Sequence, residues 1–197
     1  SFDYEAFTGR PSHDGPPLPA RILPESRRVP AAEAAAKIVE ESAGGNGDGG
    51  DKGQKEREER KRKTLYLDVR PASQFGLARL PGSVNVPWGG GGDAFLKRAA
   101  EAATAAAALR SSSEGEEERQ EKRGQRRAPV VVVCRRGNDS QRAVAALDEA
   151  LTKKEGGGAA EIQKTLREFL EGRPALVDVV GGLEGIAAAG SFEFPRY

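Results

Sequence analysis

The sequence predicts an α/β domain whose parallel sheet is covered by helices on both faces. Short apolar runs that suit buried strands alternate along the chain with segments of helical periodicity. The strand runs are apolar at consecutive positions, which is typical of strands buried on both faces. The chain has 197 residues. When four low-complexity tracts are set aside, about 130 residues remain, which suits one compact domain.

Charge and composition exclude several functional classes. The 31 basic residues are balanced by 30 acidic ones, so no dominant basic footprint marks a dedicated nucleic-acid binder, although weak tRNA contact stays open. One Cys and one His cannot form the ligand cluster of a zinc site or an internal disulfide. Neither a secretory signal nor an apolar run of about 20 residues is found, so we expect a cytoplasmic protein without a membrane anchor.

The N-terminal third predicts a linker, one helix and an insertion. A Pro-rich segment over residues 11–24 is typical of an extended linker. Pro30 then opens the alanine-rich stretch AAEAAAKIVEE, a predicted helix with Ile38 and Val39 on its apolar face. Residues 43–63 are Gly-rich and then strongly charged, so we expect a solvated insertion.

The middle of the chain predicts two strands and a second insertion. Residues 65–69 form a short apolar run that ends at Arg70 and Pro71, as a buried parallel strand does on entering a loop. Residues 84–86 make a shorter strand candidate, and Asp93 can cap a helix that runs to about Leu109. A second charged insertion is expected over residues 110–127.

The clearest signal is a strand, a tight loop and a helix that meet at the single cysteine. Val130–Val133 is an unbroken β-branched run, Cys134 follows it, and RRGNDS leads into a helix with apolar residues at helical spacing. The pattern is completed by another amphipathic helix, a buried strand over residues 176–180 and a turn at Gly181 and Gly182 into a last short helix. The amphipathic helix is marked by Ile162, Leu166, Phe169 and Leu170.

Cys134 has the surroundings of a nucleophile. A core cysteine is expected within the Val run, whereas Cys134 lies just past it, before two arginines, Gly137 and a helix start at Asp139 or Ser140. Backbone amides should converge on the sulfur, and amide nests and helix N-termini stabilise anions. We therefore expect a reactive thiolate at neutral pH.

The loop spacing discriminates between two chemistries. Cysteine phosphatases of this design place an Arg six residues after the Cys to clamp phosphate oxygens. Position 140 is Ser here, and Arg142 lies too far along to substitute simply. The cradle from Cys134 to Asp139 is instead sized for a sulfur-bearing anion, which indicates a persulfide carrier that needs no separate general base. An inactive docking module and, less favoured, a phosphatase remain the alternatives.

Several motifs together resemble the rhodanese-like domains. They are LYLDVRPASQF, RLPGSVNVP, VVVVCRRGNDSQRAVAAL and VVGGLEGI. Four motifs together resemble the C-terminal sulfurtransferase domain of the eukaryotic adenylyltransferase and sulfurtransferase proteins: CRRGNDSQ, RLP at Arg79 to Pro81, DVVGGL at Asp178 to Leu183 and the terminal FPRY. By that resemblance, residues 1–24 hold the tail of a preceding E1-like domain (DYEAFTG) and a linker, and residues 25–197 form the rhodanese-like domain with its two insertions.

The resemblance implies a fold, a reaction and partners. It implies a five-stranded parallel sheet and a Cys134 that accepts sulfur from a cysteine desulfurase or another rhodanese. The acceptor is the adenylated C-terminal Gly-Gly of a ubiquitin-like sulfur carrier, which becomes a thiocarboxylate for tRNA wobble-uridine thiolation and molybdenum cofactor synthesis. No cofactor is expected in this fragment, because ATP, Mg and Zn would belong to the E1-like domain, itself an expected partner.

The resemblance also assigns site residues. The substrate and persulfide loop comprises Arg135, Arg136, Gly137, Asn138, Asp139 and Ser140. Asp68 and Arg70 match the family's Asp-x-Arg and are expected to be scaffold, with Asp68 accepting loop amides and Arg70 pairing with a carboxylate near the site. Asp139 should disfavour a small dianion such as thiosulfate, because like charges at close range repel. Arg79 stands where most members have His, and Ile186 where they have Trp.

Overall fold

The computed structural model describes residues 21–43, 64–89, 91–113, 129–152, 160–171, 173 and 175–190. The expectations for the N-terminal tail, for most of both insertions and for the terminal FPRY lie outside these residues.

The described residues form a five-stranded, all-parallel sheet. The strands are β1 (Arg28–Val29), β2 (Leu65–Asp68), β3 (Val84–Asn85), β4 (Val130–Val133) and β5 (Leu176–Val179). Their order across the sheet is β1-β5-β4-β2-β3, and every neighbouring pair is parallel. The predicted α/β class is confirmed.

The described residues include six α-helices. They are α1 (Ala31–Ala43), α2 (Ala72–Leu77), α3 (Gly92–Ser113), α4 (Asp139–Thr152), α5 (Ala160–Leu170) and α6 (Gly182–Ala189), and a 3-10 turn over Glu25–Arg27 precedes β1. Helix α3 continues past the predicted end at about Leu109 to Ser113. The alanine-rich stretch before Leu109 favours helix, and the helix extends into the start of the predicted insertion.

The helices cover both faces of the sheet, as the sequence predicts. On one face, α3, α4 and α5 pack on the sheet through side chains such as Phe95, Val144 and Leu166. On the other face, α1 and α6 bury Ile38 and Ile186. Within the described residues, no helix combines the length and the apolar character needed to cross a bilayer.

Two details of the packing differ from expectation. Val39 is 48% exposed, because the buried face of α1 runs through Ala34, Ala35 and Ile38 instead. Ile186, at the position where the family's Trp is expected, is fully buried beside Leu183. The last helix therefore still packs on the sheet with the smaller side chain.

Candidate active site

Cys134 lies at the carboxyl end of β4, between the ends of two neighbouring strands. Strand β4 pairs with β2 on one side and β5 on the other, so its end is at the centre of the sheet, where parallel α/β folds place their sites. Cys134 is 4% exposed. Helix α4 begins at Asp139, one of the two predicted starts, so the loop between strand and helix covers only residues 134–138.

The Cys134 sulfur has two polar neighbours. The Gly137 amide donates a hydrogen bond to Sγ at 3.1 Å, and this amide is one of the backbone donors expected to face the thiol. The Ser140 hydroxyl lies 3.5 Å from Sγ, within hydrogen-bonding distance for sulfur. The amide stabilises negative charge on the sulfur, and the hydroxyl does so when its proton points at Sγ.

Two glycines let the loop dock on the start of α6. Gly137 has φ +81°, and a Cβ there would lie 2.9 Å from the Gly181 amide nitrogen. Gly182 has φ +57°, and a Cβ on it would overlap the Cys134 carbonyl oxygen. The close approach lets the Leu183 amide donate to the Cys134 carbonyl at 2.9 Å, so the turn after β5 fixes the backbone of the nucleophile.

A buried carboxylate lies behind Ser140. The Ser140 hydroxyl donates to Asp178 Oδ2 at 3.4 Å, and neither residue is exposed to solvent. Arg28 Nε lies 3.0 Å from Asp178 Oδ1. Burial raises the pKa of Asp178, and the hydrogen bond and charge of Arg28, with a smaller contribution from the Ser140 hydrogen bond, offset part of that rise.

The two arginines after Cys134 are paired with one carboxylate. Arg135 Nε lies 2.7 Å from Glu184 Oε1, and Arg136 Nε lies 3.1 Å from Glu184 Oε2. Partial burial raises the pKa of Glu184, but the hydrogen bonds and charges of both arginines outweigh it and lower the pKa overall. Glu184 thus offsets part of the positive charge of the two arginines and ties them to α6.

Side chains of α4 form hydrogen bonds with Gly137 and Asp139 of the predicted loop. The Asp139 carboxylate accepts a hydrogen bond from Arg142 Nη1 at 3.1 Å, and both side chains are 45% exposed. Asn138 is half-buried. Gln141 donates to the Gly137 carbonyl at 2.7 Å and accepts a bond from the Ile22 amide, which links the cradle to the segment before β1.

Asp68 and Arg70 form a buried pair of their own. Arg70 Nη2 lies 2.6 Å from Asp68 Oδ2, and the Arg70 amide donates to Asp68 Oδ1 at 3.0 Å. By strand alternation Asp68 shares the face of Tyr66, which is covered by α1 and α6, whereas Cys134 packs with the other face. The pair shapes the loop after β2, where Arg70 also donates to the Ala78 carbonyl. Nearby, the Arg79 guanidinium lies over the Phe75 ring.

Sequence reasoning missed Arg28, Asp178 and Glu184. A signal for Asp178 is present, because an ionisable residue inside the apolar run LVDVV must find a partner when it is buried. Arg28 gives no comparable signal, because its strand has only two residues. Among the described residues, no three His, Cys, Asp or Glu side chains cluster in a way that could hold a metal ion.

Comparison with known families identifies the domain. The family model for the rhodanese-like domain matches residues 52–189, which is more than half of the chain and includes Cys134, Ser140 and Asp178. No curated protein matches the chain significantly.

Proposed function

The chain belongs to the rhodanese-like domain family, and on that basis we propose that it is a sulfurtransferase that carries sulfur as a persulfide on Cys134. The observation that carries the proposal is the position of the Cys134 sulfur. It lies at a strand end before α4 and accepts the Gly137 amide hydrogen bond at 3.1 Å. A thiolate held in this way is a nucleophile that needs no adjacent base.

The chemistry is an exchange at sulfur. The thiolate attacks the outer sulfur of a donor, a new S–S bond forms at Cys134, and the donor's own S–S bond breaks with its electron pair on the leaving group. With thiosulfate the leaving group is sulfite, and with a protein persulfide it is a thiolate. An acceptor such as cyanide then removes the outer sulfur and regenerates the Cys134 thiolate.

Burial of the thiol supports this class of substrate. Because Cys134 is only 4% exposed, a reagent must be slender at the reacting atom. A terminal sulfur on an extended chain meets that demand better than a tetrahedral phosphate monoester. Ser140 also stands where the phosphatase arginine is required, and the nearby Arg135 and Arg136 are engaged with Glu184.

We further propose that the acceptor is the adenylated C-terminal Gly-Gly of a ubiquitin-like sulfur carrier. Support comes from the resemblance of CRRGNDSQ to the sulfurtransferase domain of E1-like activators, and a tail of two glycines is slender enough for this site. The outer sulfur attacks the adenylated carbonyl and displaces AMP. A thiol then attacks Sγ and the thiocarboxylate leaves with the electron pair of the S–S bond, after which a second thiol reduces the mixed disulfide left on Cys134. The sequence contains one Cys, so both thiols come from outside it.

This acceptor leads to the proposed cellular roles. A thiocarboxylated carrier supplies sulfur for tRNA wobble-uridine thiolation and for molybdenum cofactor synthesis, and a cysteine desulfurase or another rhodanese is the proposed source of the persulfide. We also propose the cytoplasm as the location.

Replacement of Cys134 tests the proposal. Cys134→Ser keeps a side chain of similar shape but has a hydroxyl that stays protonated and cannot hold a labile sulfur. We expect transfer of sulfur from thiosulfate to cyanide to fall more than tenfold while the melting temperature is preserved. Residual activity within tenfold of the wild type refutes the assignment. For the acceptor, formation of a thiocarboxylate on an adenylated carrier is measured by mass spectrometry. If cyanide turnover is intact and no thiocarboxylate forms, only the carrier assignment is wrong.

A further inference from the structure

A buried chain of three polar groups leads from the reacting sulfur to a strand carboxylate. Asp178 pairs in register with Val132, two residues before Cys134, and side chains two residues apart on a strand share a face. The carboxylate therefore lies on the face of the sheet to which the sulfur belongs. Ser140, in the first turn of α4, bridges them at 3.5 Å to Sγ and 3.4 Å to Asp178 Oδ2.

Arg28 fixes the carboxylate at the far end of this chain. Its Nε donates to Asp178 Oδ1 at 3.0 Å and its Nη2 to Oδ2 at 3.2 Å. Both oxygens of the carboxylate are thus engaged, and the guanidinium is mostly buried, with 15% of its side chain exposed. Asp178 cannot turn away from Ser140 without breaking a two-point ion pair.

Ser140 has one hydroxyl proton and two acceptors for it. The proton points either at a Cys134 thiolate or at Asp178 Oδ2, and a rotation of the hydroxyl interchanges the two. We propose that the Ser140 hydroxyl follows the charge on the Cys134 sulfur, and that Asp178 is a positioning residue which receives the hydroxyl whenever the sulfur is neutral. This inference rests on the proposed sulfur transfer and deepens it.

The two hydroxyl orientations match the two halves of the reaction. Before the attack, sulfur transfer requires the charge on Sγ, and Ser140 then donates to it. After Sγ attacks the donor's outer sulfur and the leaving group departs with its electron pair, Sγ becomes the neutral inner sulfur and the charge lies on the outer one. The hydroxyl then turns to Asp178, so a buried donor is never left without an acceptor. No proton is lost or gained by the chain in this step.

Among the described residues, several charged groups on the elements around the loop form ion pairs. They are Arg28 with Asp178, Arg135 and Arg136 with Glu184, Asp139 with Arg142, Arg27 with Asp148, and Asp68 with Arg70 on the opposite face. Of these carboxylates, Asp178 is the one that accepts a hydrogen bond from Ser140, the hydroxyl next to the sulfur. A change at Asp178 should therefore reach the sulfur through Ser140.

The pH dependence of Cys134 alkylation tests the inference. The sequence has one Cys, so the rate of reaction with iodoacetamide, followed by intact mass, reports the thiolate at Cys134 alone. Ser140→Ala removes a donor to the thiolate and should move the midpoint of the pH profile up by about one pH unit. Asp178→Asn removes the negative charge that competes with the sulfur for the Ser140 proton, whichever way the amide faces the Arg28 Nε and Nη2 donors. The hydroxyl is then directed at the sulfur, and the midpoint should move down by about half a pH unit.

The double variant decides whether Asp178 acts through Ser140. We expect the Asp178→Asn shift to fall below half its size when Ser140 is already Ala. A shift that retains half its size or more overturns the inference, because the carboxylate then acts directly through its field. An alkylation midpoint that is unchanged in Ser140→Ala overturns the inference as well. If Asp178→Asn does not fold, the Ser140→Ala variant still tests the inference.

Matched controls separate this role from general stability. Asp148→Asn removes the carboxylate of a similar pair with Arg27, and Ser83→Ala removes a hydroxyl that donates to the Leu80 carbonyl. Both should leave the alkylation midpoint unchanged, and a shift as large as those at Ser140 and Asp178 overturns the inference. Alkylation requires no sulfur transfer, so its outcome is independent of whether the proposed function holds.

Discussion

We expect substitution of Gly182 to lower both the stability of the protein and its sulfur transfer activity. In Gly182→Ala, a Cβ would overlap the Cys134 carbonyl oxygen and lie 2.7 Å from the Gly137 amide nitrogen. Both contacts are with backbone atoms, which cannot rotate away. Relief requires the start of α6 to move off the loop, which breaks the hydrogen bonds from Leu183 to Cys134 and from Glu184 to Arg135.

The magnitude follows from three contributions. An L residue at φ +57° costs about 1–2 kcal/mol, and the two lost hydrogen bonds cost about 1 kcal/mol each. The free energy of unfolding should therefore fall by about 3–4 kcal/mol, which lowers Tm by about 10 °C for a domain of this size. Because the Cys134 backbone moves, sulfur transfer should also decrease.

Gly82 supplies the matched control. It has φ +70°, and a Cβ added there would have no atom within 4 Å, so Gly82→Ala carries the backbone strain without the overlap. Its cost should be about 1–2 kcal/mol, with activity retained. Any gain from the stiffer unfolded chain is common to both variants and cancels in the comparison. Thermal melts and sulfur transfer to cyanide are measured for Gly182→Ala and Gly82→Ala. Equal losses of stability in the two variants refute the overlap at Gly182 as the cause.

Two further predictions concern charge. Asp139→Thr should raise kcat/KM for thiosulfate only a few-fold, because Arg142 already offsets the carboxylate; steady-state kinetics check this, and an unchanged value means that the field of Asp139 does not reach the pocket. Burial, and then the charge of Glu41, raise the pKa of Tyr66 well above its usual 10, against a lowering by the Thr64 hydrogen bond. The unfolded chain therefore loses this proton first, and stability falls as pH rises above about 10. Between pH 9 and pH 11, the free energy of unfolding from urea melts should fall by about 1 kcal/mol less in Tyr66→Phe than in the wild type. An equal fall in both proteins contradicts the attribution to Tyr66.

The parts of the fold that sequence reasoning found are those with strong local patterns. Val130–Val133 is predicted because four β-branched residues in a row suit only a strand buried on both faces, and all four are buried. Strand β1 has two residues, one of them charged, and exists because it pairs with β5. Helix α2 buries none of its residues, so its sequence has no apolar stripe that would predict a helix. Both depend on tertiary context that local patterns do not carry.

The candidate site divides in the same way. Cys134 and its loop are contiguous in sequence, so the strand, the glycine and the helix start point to one place. Asp178 reaches Ser140 only through the register of β5 against β4, and Glu184 meets Arg135 only because the turn at Gly181 and Gly182 docks on the loop. Such contacts between distant segments follow from strand pairing, which the sequence pattern does not fix.

The most direct test of sulfur transfer is the mass of the intact protein after exposure to a persulfide donor or to thiosulfate. With a single Cys in the sequence, we predict a gain of one sulfur atom, its removal by cyanide with formation of thiocyanate, and no gain in Cys134→Ser. A wild-type protein that stays at its original mass with both donors, while its Cys134 remains open to alkylation, contradicts sulfur transfer by this domain.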